Sequence, residues 1–165
     1  MDEASVALDV TIRDSAPADV RSWWWTFPDA YVASDPAEQP FRVETEERSE
    51  SRVELSTWWR TSWGRTAHAH ETHRLASDTT WTAWTELWGV AIHDEYVVEP
   101  VAAGTRLRID STLIPVTSWA RLTSRWLLPR LRVLWRDSRL MAAQRCELET
   151  PSSAAPAPGA VPRVS

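Results

Sequence analysis

The sequence predicts an α+β domain in which a curved antiparallel sheet of about seven strands wraps around a long C-terminal helix. Two observations lead to this prediction. Residues 41–113 form short runs of alternating apolar and polar side chains, separated by polar or glycine-containing turns, which is typical of an antiparallel meander. Residues 117–149 carry apolar side chains at helical spacing, so this helix presents an apolar face long enough to cover one side of the sheet.

The chain is predicted to open with one strand and two short helices. Residues 6–12 alternate apolar and polar side chains, as a half-buried strand does. Ser15 as N-cap and Pro17 in the first turn then predict a helix. In the triple tryptophan 23–25, core rings and one half-exposed ring are expected. A second short helix or a turn is expected over residues 29–39.

The long C-terminal helix is predicted to begin at Ser118, which can serve as its N-cap. Pro129 lacks a backbone donor and disfavours helical geometry at Leu128, so a kink or break is expected there. Over residues 117–149, seven arginines stand against three acidic residues, while the remainder of the chain carries a net charge of −9. The outer side of the helix is therefore expected to be basic, through Arg130, Arg132, Arg136 and Arg139.

Composition excludes several classes of protein. The 165 residues suit one domain over residues 1–149, followed by a Pro/Ala-rich tail, 150–165, that is expected to be disordered. The net charge of −5 argues against general nucleic-acid binding, and the single Cys146 excludes an internal disulfide framework. The sequence has no signal-peptide layout and no apolar run of about 20 residues, so a cytoplasmic location is expected.

Several local motifs occur in a recognisable order. The opening strand runs into Ala-Pro-Ala-Asp-Val at residues 16–20, with Trp23 or Trp24 following on the helix. Later, residues 96–100 lead into Gly-Thr-Arg-Leu at 104–107. With the amphipathic last helix, this order resembles the START/Bet v1-like (SRPBCC) superfamily, nearest its polyketide cyclase/dehydrase and lipid-transport type, over residues 6–149.

The resemblance implies the helix-grip fold, with a tunnel between the sheet and the last helix for an apolar or aromatic molecule. It does not imply one chemistry, because members of the superfamily bind, transport, cyclise or merely scaffold. No cofactor is expected.

Tryptophan is frequent, with 12 residues against two Phe and two Tyr. Several tryptophans are expected to border the cavity, namely Trp59, Trp84, Trp88, Trp126 and Trp135. Two interpretations stay open, because these rings can stack on a planar apolar ligand or can simply fill the space. If they fill it, no tunnel remains and the domain is an interaction scaffold.

Polar groups on the inward face are the candidates for chemistry, because a buried polar group needs a partner. Glu86 is in phase with Trp84 and Trp88, and a carboxyl group in an apolar pocket can act as a general acid or base. Tyr96 is the second candidate catalytic residue, since its hydroxyl can donate to a ligand carbonyl. The alternative for Glu86 is an ion pair with an arginine at an open end of the sheet. The other candidate ligand-binding residues are Ser111, Ser138 and Met141.

The segment His-Ala-His-Glu-Thr-His at residues 68–73 contains a weak metal-binding candidate. On a strand, His68 and His70 share one face, as paired metal ligands do. Alternation with Ala69 and Leu75 turns both histidines toward solvent, so no metal site is predicted.

Three functional hypotheses follow. The preferred one is a protein that binds a small hydrophobic or aromatic molecule between sheet and helix, without catalysis. The second is an aromatase/cyclase-type enzyme that uses Glu86 and Tyr96 to move protons. The third is a membrane-surface or protein-interaction module that uses the Arg/Trp-rich helix. For that helix, the simpler interpretation is that its apolar face lies in the core and its arginines are solvated. The sequence leaves the ligand and the oligomeric state open.

Overall fold

The computed structural model describes residues 3–31, 42–60 and 66–150 of the chain. These residues form seven strands and two helices. In chain order the elements are β1 (Ala4–Arg13), α1 (Pro17–Tyr31), β2 (Arg42–Arg48), β3 (Arg52–Arg60), β4 (Thr66–Leu75), β5 (Thr80–Leu87), β6 (Val90–Val101), β7 (Gly104–Pro115) and α2 (Ser118–Glu149).

All seven strands join one antiparallel sheet in the order β1-β7-β6-β5-β4-β3-β2. Consecutive strands from β2 to β7 pair as a meander. The first strand, β1, pairs with β7 at the edge of the sheet, so that Val6 lies opposite Ser111. The helix α2 packs mainly against β1 and β7. The predicted α+β architecture, a seven-stranded antiparallel sheet with a long C-terminal helix, is confirmed.

The region after β1 contains one described helix, α1, where two short helices were predicted. The helix α1 extends to Tyr31, and residues 32–41, on which most of the second predicted helix falls, lie outside the described residues. The predicted tail from residue 151 onward also lies outside them.

The helix α2 runs without a break from Ser118 to Glu149, so the predicted break at Pro129 is wrong. The side chain of Pro129 is exposed, while Leu128 and Leu131 beside it are buried. Packing on the inner face therefore keeps the helix continuous at the position where Pro129 removes a backbone hydrogen bond. Thr117 rather than Ser118 is the N-cap, because its Oγ1 accepts the Ala120 N–H at 3.2 Å. No described helix is both long enough and apolar enough to cross a membrane.

The β5–β6 hairpin positions the start of α2. Its two-residue turn, Trp88 and Gly89, has φ values of +54° and +71°, as a tight hairpin of this hand requires. The Gly89 carbonyl accepts the N–H groups of Val116 and Thr117. A Cβ at Gly89 would lie 2.3 Å from Thr117 Oγ1, so only glycine fits this contact between hairpin and helix.

The core is filled largely by aromatic side chains. Trp81 and Tyr96 on neighbouring strands stack with ring centroids 4.8 Å apart, and Trp24 of α1 packs against Tyr96 at 5.3 Å. In the triple tryptophan, Trp23 and Trp24 are buried and Trp25 is half-buried, as predicted. A second cluster surrounds Trp135, which is fully buried under the middle of α2.

Candidate ligand site

A buried polar cluster joins α2 to the inner face of the sheet. At its centre, the Asp94 carboxylate on β6 accepts hydrogen bonds from three side chains. The Nε1 of Trp135 donates to Oδ1 at 2.9 Å, and the hydroxyl of Tyr96 donates to Oδ2 at 3.1 Å. Arg139 donates to Oδ2 from Nη2 at 2.8 Å and from Nε at 3.2 Å. Asp94 therefore anchors two successive turns of α2 to the sheet.

The second carboxylate of the cluster is Glu71 on β4. Its Oε2 lies 3.7 Å from Nη2 of Arg139 and 3.5 Å from Nε2 of His73, and its Oε1 accepts the Thr57 hydroxyl at 3.1 Å. Burial raises the pKa of Glu71, but His73, Arg139 and Thr57 together outweigh burial and hold that pKa below its ordinary value. Glu71 is therefore ionised inside the protein.

Tyr96 is a donor and not a base in this cluster. Burial, reinforced by the charges of Asp94 and Glu71, raises the pKa of its hydroxyl well above the ordinary value and outweighs the opposing effect of Arg139. The hydroxyl keeps its proton and directs it at Asp94.

Sheet register explains why these side chains meet. His73 lies opposite Ala83, Ala83 opposite Asp94, and Asp94 opposite Ser111, while Glu71 lies opposite Thr85 at the next inward position along β4 and β5. Together these two neighbouring lines of inward side chains form a polar row that crosses β4 to β7 beneath α2. Buried atoms of this row have no hydrogen-bond partner among the described residues, namely His73 Nε2, Thr85 Oγ1 and Ser111 Oγ. The 3.5 Å contact of His73 with Glu71 is electrostatic and too long for a good hydrogen bond.

Little space remains beside this row. A gap of about 160 Å³ next to His73 is too narrow for a water molecule, and Trp24, Trp25, Val53 and Leu55 complete its lining. At this place Trp24 and Trp25, and none of the five tryptophans that were expected to border a cavity, line the remaining gap.

A larger concavity lies between β1 and the first half of α2. This β1–α2 groove has a volume of about 830 Å³. Its apolar surface comes from Ala4 and Val6 on one side and from Leu128, Pro129 and Val133 on the other.

The same groove carries positive charge. Arg125, Arg132 and Arg136 line it and are exposed, and Glu3 lies at the β1 side. Within the described part of the chain, no carboxylate forms an ion pair with these three arginines. The groove therefore combines an apolar wall with cationic groups that are available to a ligand.

The prediction that Glu86 and Trp84 face the interior is wrong. On β5 the buried side chains are Trp81, Ala83, Thr85 and Leu87. Glu86 is exposed, and Trp84 is 48% exposed on the outer face beside His93. Because successive residues of a strand point to opposite faces, Glu86 shares the outer face with Trp84.

Four further placements, on α2 and on the β5–β6 hairpin, differ from expectation. Trp126 is 65% exposed and does not border the interior. Arg139, expected on the basic outer side, is buried because Asp94 and Glu71 neutralise its charge. Met141 lies exposed at the margin of the helix, and Trp88 is half-buried at the hairpin tip, where it packs against the core.

The remaining candidates lie on the inner face, as expected. Tyr96, Ser111, Trp135 and Ser138 are buried there. Trp59 belongs to β3, but its side chain is outside the described residues. Their predicted roles toward a ligand stay predictions.

His68 and His70 are exposed on the outer face of β4, as the alternation predicted. His68 stacks on Trp58 at 4.8 Å and its Nε2 lies 3.0 Å from Ser56 Oγ. His70 lies near Glu46 and Glu54, with the possible ligand atoms of the three within 4.8 Å of one another.

Four residues of the buried cluster were not singled out from the sequence. A signal existed for two of them, because Ala69 and Leu75 face inward and Glu71 and His73 are in phase with them. Asp94 and Arg139 lack such a signal, since a charged residue is rarely buried unless a partner elsewhere in the chain neutralises it.

The sheet, the helix α2 that crosses it and the polar row between them define a helix-grip protein with the START/Bet v1-like fold. Ara h 8.0201 is similar to this chain at a TM-score of 0.70 and 11% identity, over 90% of this chain and 98% of that one. The Zhui aromatase/cyclase from Streptomyces sp. R1128 is similar at a TM-score of 0.62 and 13% identity, over 93% and 99%.

A third similar structure contains two domains. The di-domain ARO/CYC StfQ from the steffimycin biosynthetic pathway matches at a TM-score of 0.67 and 13% identity, over 90% of this chain and 50% of its own. Neither a family model nor a curated protein matches the sequence. At these identities the likeness establishes the fold alone.

Proposed function

We propose that this protein binds a small hydrophobic or aromatic molecule bearing an acidic group in the β1–α2 groove. One observation carries the proposal: a concavity of about 830 Å³ between the sheet and the C-terminal helix has both an apolar wall and three arginines. Ligand pockets of proteins commonly fall between roughly 300 and 1,000 Å³.

The two kinds of lining have separate roles. The apolar side chains, such as Val6 and Leu128, supply affinity for a hydrocarbon or ring system, because each square ångström of apolar surface removed from water is favourable. Arg132 and Arg136 lie one turn apart on α2 and offer planar donors to a carboxylate or phosphate. Two of the structurally similar proteins are named as aromatase/cyclases, which supports an aromatic, polyketide-like ligand.

Calorimetric titration tests the proposal. Long-chain fatty acids and polycyclic aromatic carboxylic acids are titrated into the protein, each beside its methyl ester. The acids are expected to bind about tenfold more tightly than the esters, because a hydrogen bond to a charged group contributes about 1.5–3 kcal/mol. Native mass spectrometry of protein purified from its own host would show whether a molecule of this class copurifies.

Variants locate the site. Ala7 is an exposed residue of β1 that lines the groove, so Ala7→Trp places a large ring in the groove and is expected to abolish binding. The double variant Arg132→Gln with Arg136→Gln is expected to remove the preference for acids. The matched control is Arg74→Gln, an exposed arginine on the outer face of the sheet. Binding that survives Ala7→Trp, or that treats acids and esters alike, contradicts the proposal.

An aromatase/cyclase-type activity is the second candidate, and it is favoured by a different observation. The Glu71–His73 pair lines the interior beside Tyr96, so acid–base groups are present there, although Glu86 is not among them. Turnover of an aromatic polyketide substrate by the wild type, lost in His73→Gln with folding retained, is the result expected of an enzyme. A wild type that turns over no such substrate contradicts it.

A further inference from the structure

The first half of α2 exposes an apolar stripe that shares only Val133 with the lining of the β1–α2 groove. Leu122 is 83% exposed, Trp126 is 65% exposed, and Trp119 and Val133 are both 59% exposed. We propose that this stripe, Trp119, Leu122, Trp126 and Val133, together with the arginines beside it, docks on the surface of an anionic lipid bilayer.

Helical geometry places the stripe on one side of α2. At about 100° per residue, the four side chains fall within a sector of about 60°. The buried residues of the same stretch, among them Leu128 and Leu131, are centred about 180° away. The stripe points directly away from the core and extends about 21 Å along the helix. This arrangement contradicts the expectation that Trp126 borders the cavity.

The charge of this segment is strongly one-sided. Residues 118–136 contain no acidic residue, although the whole chain carries −5. All five arginines are exposed, namely Arg121, Arg125, Arg130, Arg132 and Arg136. Helical geometry places Arg130 on one side of the stripe and Arg125 and Arg136 on the other, while Arg121 and Arg132 lie farther round the helix. The guanidinium of Arg125 lies 5.7 Å from the centroid of the Trp126 ring. An interfacial helix has this composition, with Trp and Leu at the acyl boundary and arginines reaching the lipid phosphates.

Charge also decides between possible occupants. Two copies of the protein that met stripe to stripe would bring two sets of five uncompensated arginines together, which is unfavourable. An anionic bilayer neutralises these arginines and takes up the exposed rings. Elsewhere in the described part of the chain, the exposed Trp84 has acidic residues on neighbouring positions of the same sheet face, such as Glu86 and Glu95, so that face does not fit the same partner.

Flotation of the full chain with vesicles tests the inference. Vesicles of phosphatidylcholine alone are compared with vesicles that also contain phosphatidylglycerol. We expect binding to the anionic vesicles only, and release at high salt, because attraction between arginine and anionic lipid is screened. Binding that is equal on both vesicles, binding that is insensitive to salt, or no binding overturns the inference.

Two variants separate the stripe from the groove. Trp119→Ser with Trp126→Ser removes exposed rings, and a loss of at least about tenfold in vesicle affinity is expected. Arg130→Gln removes a charge beside the stripe that does not line the groove, and about a fivefold loss is expected. Trp84→Ser and Arg74→Gln are the controls, each an exposed residue of the same type on the sheet, and they should bind as the wild type does.

The result is independent of the proposed function. The titrations with soluble acids contain no vesicles. A protein that binds the acids but does not bind vesicles would therefore support ligand binding in the groove and contradict the docking of the stripe on a bilayer. Light scattering of the lipid-free protein supplies the remaining outcome. Concentration-dependent self-association that Trp119→Ser with Trp126→Ser abolishes would assign the stripe to a second copy of the chain and overturn the inference.

Discussion

Replacing Arg139 with methionine is expected to destabilise the protein more than any other single arginine substitution on α2. Arg139, Asp94 and Glu71 have side chains that are at most 3% exposed. The change deletes two hydrogen bonds to Asp94 and the contact with Glu71, and leaves two carboxylates in the interior with no cation on α2. Removing one partner of a buried ion pair costs about 3–5 kcal/mol, and we expect a loss in this range at neutral pH.

The pH dependence of this loss follows from Glu71. In the wild type the pKa of Glu71 lies below its ordinary 4.5, so its ionisation contributes stability above that pH, which is lost as pH falls through the folded value. Arg139 is one of the groups that lower this pKa, so without Arg139 the pKa of Glu71 rises. Glu71 of the variant therefore takes up its proton at a higher pH than in the wild type, and the loss of stability shrinks as pH falls through that range.

Urea denaturation at several pH values measures both effects. The matched control is Arg136→Met, an exposed arginine on the same helix, with an expected change within about 0.5 kcal/mol. Arg139→Lys keeps the charge but not the paired donors, so an intermediate loss is expected. A loss below about 1 kcal/mol for Arg139→Met, or a loss that does not shrink as pH falls, would refute the role assigned to the buried cluster.

Three further predictions concern elements that position α2. Gly89→Ala places a Cβ 2.3 Å from Thr117 Oγ1 at a φ of +71°, so a loss of about 1–3 kcal/mol is expected on urea denaturation, and an unchanged midpoint would contradict the hairpin contact. Pro129→Ala restores a hydrogen bond within a continuous helix, so a gain of up to about 3 kcal/mol is expected, and a loss would argue against the unbroken helix. Burial raises the pKa of the Cys146 thiol to about 11, so it should react with a thiol reagent at pH 8 only in denaturant; rapid labelling of the folded protein would contradict its buried position.

Element order was predictable because it depends on local patterns. The alternation in 41–113, the short turns and the helical spacing in 117–149 each specify one element, and few arrangements of such elements bury their apolar faces together. The phase of β5 was not predictable from apolar spacing, because Trp81 and Trp84 are three residues apart and lie on opposite faces. The turn at Trp88 and Gly89 fixes the phase of β5, because a two-residue hairpin pairs Leu87 with Val90 and so places these two side chains on the same face of the sheet.

The buried cluster was not predictable for a different reason. Its parts lie far apart in sequence, with Asp94 and Arg139 separated by 45 positions, and each becomes acceptable in the interior only when the other is present. An exposed surface on the Arg/Trp-rich helix was only an alternative interpretation of the sequence, for the opposite reason. Trp119 and Trp126 fit an amphipathic pattern well, but the apolar residues of α2 cover more of its circumference than the sheet can bury.

The division of α2 into an anchored half and an exposed half connects these observations. Trp135 and Arg139, one turn apart, both donate to Asp94, so the second half is fixed over the centre of the sheet. The first half, which precedes Trp135, lies along β1. The groove lies between this half and β1, and the stripe lies on its outer side. Because Asp94, Trp135 and Arg139 neither line the groove nor belong to the stripe, substitutions in the first half can alter ligand or lipid binding without removing this anchor. A loss of binding in those variants can therefore be attributed to the surface itself, provided that their unfolding midpoints match the wild type.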